Sequence, residues 1–167
     1  MSNFEHVLVS GKNVIDKIST FMEIEQLSFS KELQYSFDEF KQKLSKEGTF
    51  VLYRQKNNVI EAFAIFTEKD EDALENGVYL DTLVVKEKGK GYGKKMDQVL
   101  CKSLENLGYT SISLRTEEIP TKEGINLVKW YTKLGYQAIG KDERGVLMRK
   151  FLNINHVSKS FALEAAI

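Results

Sequence analysis

The apolar positions in the first half of the chain predict two short helices followed by a β-hairpin. Residues 14–28 and 36–46 carry large apolar side chains at steps of three and four, the spacing of one helical face. Two runs rich in β-branched and aromatic residues follow at 50–53 and 59–66, and the polar residues 55–58 between them suit a turn. The pattern therefore places two helices before the first pair of strands.

The second half alternates strands and helices around a glycine-rich junction. Residues 78–85 form an apolar run long enough for a central strand, and a helical apolar face then extends from Tyr92 to Leu107, where Gly108 ends it. The remaining predicted elements are a strand at 111–114, a helix carrying Leu127, Trp130, Tyr131 and Leu134, a last hairpin at 136–139 and 146–151, and a terminal helix at 158–167.

Length and composition indicate one folded domain. The chain has 167 residues, of which 42% are hydrophobic and 29% charged, a balance typical of globular proteins. We expect a single domain over residues 1–152 and a tail over 153–167. No apolar run approaches the roughly 20 residues that span a bilayer, and the N-terminus lacks the order of a signal peptide. These features predict a cytoplasmic protein without a membrane partner.

Charge and cysteine content restrict the ligands further. The 24 basic and 24 acidic side chains cancel, so no overall field attracts nucleic acid, and we expect no nucleic-acid partner. Cys101 is the single cysteine, which excludes an intramolecular disulfide and a zinc cluster built from cysteines. His6 and His156 fit no metal-ligand spacing, so no metal is expected.

The densest chemical signal lies between the central strand and the following helix. Residues 88–95 read Lys-Gly-Lys-Gly-Tyr-Gly-Lys-Lys. Glycines at alternate positions let backbone N–H groups approach a ligand, and a helix N-terminus adds unpaired donors and a positive dipole end. The lysines add positive charge, so the segment predicts an anion site that suits phosphate. Taken alone, it also fits a flexible solvated connection.

Two familiar phosphate-binding motifs fit this segment poorly. A dinucleotide fingerprint needs Gly-x-Gly-x-x-Gly, whereas the glycines here are Gly89, Gly91 and Gly93. A P-loop needs four residues between its glycines and a Ser or Thr after its lysine, but Lys95 follows Lys94. The pyrophosphate of coenzyme A is a third candidate ligand.

Two motifs resemble those of the GCN5-related N-acetyltransferases, the GNAT family. Lys88-x-x-Gly91-x-Gly93 is similar to the family's Arg/Gln-x-x-Gly-x-Gly/Ala signature, which likewise follows a strand and opens a helix. About 40 residues later, the segment from Trp130 through Tyr131 to Gly135 and Tyr136 is similar to the aromatic end of a later family helix. Two motifs in the right order on the right elements are more specific than a glycine loop alone.

The resemblance implies a mixed α/β domain, with a central, mostly antiparallel sheet flanked by helices, that transfers an acetyl group from acetyl-CoA to a primary amine. It implies no metal. The implied cofactor contacts come from the end of the strand, the loop and the start of the helix: Leu83, Val84, Val85, Lys88, Gly89, Lys90, Gly91, Tyr92, Gly93 and Lys94.

The resemblance also suggests catalytic residues. Tyr131 occupies the position that commonly protonates the departing thiolate, although a structural core tyrosine fits the same pattern. Asp81 on the central strand is the first candidate for a base or proton relay, with a salt-bridged structural Asp as the equal alternative. Glu25, Glu117 and Glu118 rank below it.

Several alternatives stay open at this point. A domain that binds coenzyme A without catalysis, as a sensor or interaction module, fits the same motifs, and a homodimer is also compatible with them. The sequence does not identify the amine. We expect the two N-terminal helices and the loop at 115–123 to select it, because loops can vary without unfolding the core.

Overall fold

Seven strands and four α-helices make up the described part of the chain, residues 4–29, 31–121 and 124–153 of a computed structural model. The strands are Phe4–Ser10 (β1), Thr49–Lys56 (β2), Val59–Thr67 (β3), Gly77–Val85 (β4), Ser111–Thr116 (β5), Gln137–Asp142 (β6) and Gly145–Phe151 (β7). The helices are Ile18–Gln26 (α1), Phe37–Ser45 (α2), Tyr92–Asn106 (α3) and Leu127–Lys133 (α4), and short 3-10 turns lie at Gly11–Lys17 and Lys31–Leu33.

All seven strands belong to one sheet with the order β1-β2-β3-β4-β5-β7-β6. Only β4 and β5 run parallel, which requires the crossover through α3, whereas every other neighbouring pair is antiparallel. The predicted mostly antiparallel sheet flanked by helices is therefore confirmed.

Helices cover both faces of the sheet. On one face α1 and α2 bury Phe21, Phe40 and Leu44 against side chains of β2 and β3. On the other face α3 buries Met96 and Leu100, and α4 adds Tyr131 to the same cluster. The two helical layers therefore lie on opposite faces of the sheet, with β4 between them.

One extra residue interrupts the regular course of β4. Ile65 of β3 lies opposite Thr82, and Phe66 lies opposite Leu80, so Asp81 has no partner in the register. Such a β-bulge locally bends a strand and changes which face its side chains occupy. Pairing with β5 also ends here, because Leu80 and Leu114 form its last pair. Beyond this point a cleft lies between the ends of β4 and β5.

The N-terminal elements differ from the prediction. The strand Phe4–Ser10 was not predicted, and the helix predicted at 14–28 is a 3-10 turn followed by α1. A non-helical backbone at Val14 separates the two parts. The terminal helix predicted at 158–167 lies outside the described residues.

No helix in the described ranges is both long and apolar enough to cross a membrane.

A buried ion pair connects α3 to the last strand behind the cleft. Asp97 is 1% exposed, and one of its carboxylate oxygens lies 3.1 Å from Lys150 Nζ. Its other oxygen accepts a hydrogen bond from the Tyr136 hydroxyl at 2.8 Å. The ring of Tyr136 packs edge-on against Tyr131, with 5.4 Å between centroids. This cluster therefore fixes the position of Tyr131.

Replacing Lys150 with Met should destabilise the protein by about 3 kcal/mol, because removing one partner leaves a buried charge without compensation. Urea denaturation measures the loss. The double variant K150M/D97N should be more stable than K150M, since Asn carries no charge to bury. Equal stability of K150M and the parent protein would contradict a role for this ion pair.

Candidate functional site

The cleft between β4 and β5 encloses a cavity of about 460 Å³. The end of α1 and Tyr35 border it on the side of α1 and α2. The glycine loop, Trp130 and Tyr131 border it on the side of α3 and α4. Asp81 and Leu83 lie between the two sides. The cavity thus passes through the sheet where the strands stop pairing, and reaches both helical layers.

The three glycines of the loop are required for two different reasons. Gly89 and Gly91 have φ near +75° and +77°, a left-handed conformation that L side chains rarely adopt, and a Cβ at either would meet no atom within 4 Å. Gly91 is the N-cap of α3, so the N–H groups of the first turn are unpaired within the helix. At Gly93, by contrast, a Cβ would lie 2.9 Å from Cζ2 of Trp130, so this glycine allows α3 and α4 to pack closely.

Two lysines of the loop have partners within the described part of the protein. Lys88 donates hydrogen bonds to Ser28 Oγ and to the Val85 carbonyl, so its ammonium group connects α1's end to the end of β4. Lys90 forms an ion pair with Glu87 at 2.9 Å. Lys94 is exposed and borders the cavity. Contacts of Lys88, Lys90 and Lys94 with an anionic ligand remain predictions.

The end of β4 presents backbone groups to the cavity. The Lys86 N–H donates to the Glu61 carbonyl across the β3–β4 pair at 2.8 Å. Because backbone groups of alternate residues point to opposite sides of a strand, those of Leu83 and Val85 point away from β3, toward the cleft. The side chain of Val84 packs in the core beneath α1 and α2. Leu83 therefore offers a backbone donor and acceptor to an extended ligand, and Val85 offers its N–H, since the Val85 carbonyl accepts from Lys88.

Tyr131 lies at the edge of the cavity and is otherwise buried. Its ring packs edge-on against Trp130 and Tyr136. Burial, followed by the charge of Asp97 and the nearby Tyr79, raises the pKa of Tyr131 above its ordinary value of 10.0. The hydroxyl therefore stays protonated at neutral pH and can donate a proton or hydrogen bond.

Asp81 has a partner on each carboxylate oxygen. Its Oδ1 lies 3.1 Å from Lys43 Nζ, and its Oδ2 accepts a hydrogen bond of 3.3 Å from the Tyr35 hydroxyl. Lys43 also lies over the Tyr35 ring, 4.7 Å from its centroid. This arrangement matches the salt-bridged alternative that the sequence left open, while the role of Asp81 as a base remains a prediction.

Glu25 is the second carboxylate at this end of the cavity. It is 1% exposed, its Oε1 accepts a hydrogen bond from the Tyr35 N–H, and its Oε2 is buried without a hydrogen-bond partner among the described residues. Burial raises the pKa of Glu25 to about 7, and the negative charge of Asp81 adds to that shift, which the Tyr35 hydrogen bond partly opposes. Sequence reasoning ranked this residue below Asp81.

The other residues considered from the sequence lie in simpler surroundings. Glu117 borders the cavity, whereas Glu118 pairs with Lys141 on the surface at 2.7 Å. Burial raises the pKa of Cys101 to about 11, so its thiol is not activated. The side chain of Asn126 accepts a hydrogen bond from the Lys129 N–H and caps α4.

Solved structures share this architecture. The ribosomal-protein-S18-alanine N-acetyltransferase from Escherichia coli superposes with a TM-score of 0.67 at 16% identity, covering 90% of this chain and 96% of that one. PaiA N-acetyltransferase from Thermoplasma acidophilum, in complex with coenzyme A, gives 0.65 at 18% identity and covers 89% and 99%. Tetrahymena GCN5 gives 0.66 at 10% identity and covers 90% and 98%.

The chain has the GNAT fold. The fold implied by the two sequence motifs is thereby confirmed. The sequence itself matches no protein-family model and no curated protein. At these identities the GNAT likeness establishes the architecture.

Replacing Gly93 with Ala should displace Trp130, because the new Cβ would overlap the indole ring. We expect a loss of about 1–3 kcal/mol of stability, the usual cost of overpacking, and a shifted emission maximum. Trp130 is the single tryptophan, so fluorescence reports its environment directly. The matched control is Gly140→Ala, where a Cβ would meet no atom within 4 Å. Identical spectra and stabilities for G93A and G140A would contradict this packing.

Proposed function

We propose that the protein is an N-acetyltransferase that moves an acetyl group from acetyl-CoA to a primary amine by direct attack. The observation that carries the proposal is the cavity that runs from the N-terminus of α3 to the end of β4 that does not pair with β5, and on to Glu25 and Asp81. Such a passage lets two substrates enter from opposite faces of the sheet and meet at its centre.

The residues on the α3 side fit coenzyme A. The N–H groups of the first turn of α3, with the positive end of its dipole, suit a pyrophosphate, and Gly89 and Gly91 leave the backbone open to approach. The backbone groups of Leu83 and the Val85 N–H suit the amide groups of an extended pantetheine arm, since β5 does not pair with this end of β4. Bound acetyl-CoA would supply a thioester whose carbonyl carbon accepts the amine.

Two groups of the chain then suit the chemistry of acyl transfer. The Leu83 N–H points into the cleft and would donate to the thioester carbonyl oxygen, which gains negative charge during attack. The Tyr131 hydroxyl borders the same cavity, and its raised pKa keeps the proton available for the departing sulfur. No nucleophilic side chain is needed, because the amine attacks the thioester directly.

A screen of amines with acetyl-CoA tests the proposed activity. The purified protein is incubated with peptides, polyamines, amino acids and aminoglycosides, and acetylation is read by mass change and by release of free thiol. Acetylation of a primary amine supports the proposal. Binding of acetyl-CoA without turnover on any acceptor would instead support a coenzyme A-binding module.

Replacing Gly91 with Val should weaken acetyl-CoA binding by at least tenfold, because a β-branched residue is strained at positive φ and shifts the start of α3. Isothermal titration calorimetry measures the affinity. The control is Gly140→Val, at an open position on the exposed strand β6, which should bind normally. Unchanged affinity in a folded G91V protein would rule out the loop as the binding site.

Replacing Tyr131 with Phe should lower kcat by roughly 10²–10⁴-fold with little change in acetyl-CoA affinity, as expected for a lost general acid. Steady-state kinetics on an accepted amine measures the effect. Tyr109→Phe is the control, because it also removes a buried hydroxyl, but one that donates to Glu68 and does not border the cavity. Full activity of Y131F would leave Tyr131 with a packing role only.

A further inference from the structure

The side of the cavity that α1 and Tyr35 border, here called the acceptor side, contains two carboxylates, Asp81 and Glu25. They differ in how many of their oxygens have a hydrogen-bond or ion-pair partner. Both oxygens of Asp81 are engaged, one by the Lys43 ammonium and one by the Tyr35 hydroxyl. Glu25 has one engaged oxygen, which accepts the Tyr35 N–H, and one buried oxygen without a partner among the described residues. Tyr35 thus holds both groups in place, through its backbone and its hydroxyl. Of these two carboxylates, Glu25 is the one with an oxygen that no described residue contacts by a hydrogen bond.

The local environment opposes ionisation of Glu25. It lies in the last turn of α1, where the negative end of the helix dipole disfavours a carboxylate. Asp81 on β4 and Glu39 on α2 add negative charge, whereas Lys43 on α2 and the Tyr35 N–H favour ionisation. A cation near Oε2 would therefore stabilise the ionised form, and an incoming ammonium is such a cation.

We propose that Glu25 binds the ammonium of the acceptor through its unpartnered Oε2 and removes the proton that blocks attack. This inference rests on the proposed function and identifies the base of the same site. Asp81 is then a positioning residue, which holds Tyr35 and Lys43. Its negative charge also contributes to the raised pKa of Glu25.

The proton balance of this step is complete. One N–H bond of the ammonium breaks and an O–H bond forms on Glu25, which leaves a lone pair on nitrogen. That pair forms the C–N bond as the C–S bond breaks, and the Tyr131 hydroxyl supplies the proton that the sulfur takes. The nitrogen loses its second proton, which restores Tyr131, and Glu25 releases its own to solvent, so each turnover yields one proton.

The pH dependence of kcat/KM for the acceptor tests the assignment. A primary alkylamine titrates near pH 10.4, so a rise in rate around pH 7 reports an enzyme group rather than the amine. The wild-type rate should increase as pH rises through about 7, where Glu25 ionises. In E25Q this rise should disappear and kcat should fall by ~10²-fold, with acetyl-CoA affinity retained. The surface variant E47Q is the matched control and should behave as wild type, because the Glu47 side chain is 83% exposed, pairs with Lys69 and does not border the cavity.

Asp81→Asn distinguishes the two carboxylates. If Glu25 is the base, D81N should keep the rise in rate and move it to lower pH, because a negative charge that raises the Glu25 pKa is gone. If Asp81 is the base, D81N should lose the rise and E25Q should keep it. The second pattern would overturn the proposal.

The pH dependence of the melting temperature tests the raised pKa of Glu25 without requiring enzyme activity. The pKa of Glu25 is raised from 4.5 to about 7, so the folded state holds the proton more tightly than the unfolded chain. The stabilisation from this protonated state is present below pH 4.5 and is lost as pH rises toward 7. The Tm of E25Q minus that of wild type should therefore become more positive between pH 5 and pH 8. A constant difference would contradict a raised pKa.

These readouts separate the two hypotheses. If no amine is acetylated but the Tm difference changes with pH, the proposed function fails while the unusual state of Glu25 stands. If amines are acetylated and E25Q retains both rate and pH profile, the function stands and the assignment of Glu25 is overturned. Should E25Q not fold, E25D keeps the carboxylate, and we expect it to retain the pH profile at a reduced rate.

Discussion

One extra residue in β4 determines how the two halves of the site meet. Because Asp81 has no partner in β3, the strand bends and its pairing with β5 ends at Leu80 and Leu114. The interruption exposes backbone groups near the centre of a sheet, where they would otherwise be paired. It also opens a passage between the helical layers, so a ligand at the start of α3 can reach groups held by α1 and α2.

The α3 side of this passage is built largely from backbone. Gly89 and Gly91 adopt conformations that leave N–H groups accessible, whereas Gly93 serves the contact with Trp130. Of the neighbouring lysines, Lys90 pairs with Glu87 and Lys88 contacts Ser28 and Val85. The proposed anion site would therefore depend on the backbone N–H groups and the dipole of α3 as well as on lysine charge.

The sequence predicted most of the sheet and the strand, glycine turn and helix on the α3 side of the cavity, because these depend on local patterns. A strand, a glycine-rich turn and an amphipathic helix follow one another within thirty residues, and each has its own periodicity. It failed at Phe4–Ser10, an edge strand that pairs only with β2 and whose side chains are mostly half-buried, so its pattern is weak. The pairing of Asp81 with Lys43 joins residues 38 positions apart and could not be found from spacing.

Glu25 was underrated for a different reason, although the sequence carried a signal. It lies seven residues after Ile18 and four after Phe21, which places a carboxylate on the apolar face of α1. A charged residue on such a face is costly unless it is paired, and one oxygen of Glu25 has no hydrogen-bond partner in the described part of the chain. Ionising this buried carboxylate near neutral pH costs stability, and the proposed role of Glu25 as proton acceptor would account for that cost. Such a cost persists where function requires it, and a charged residue on an apolar helical face is a sign of such a site.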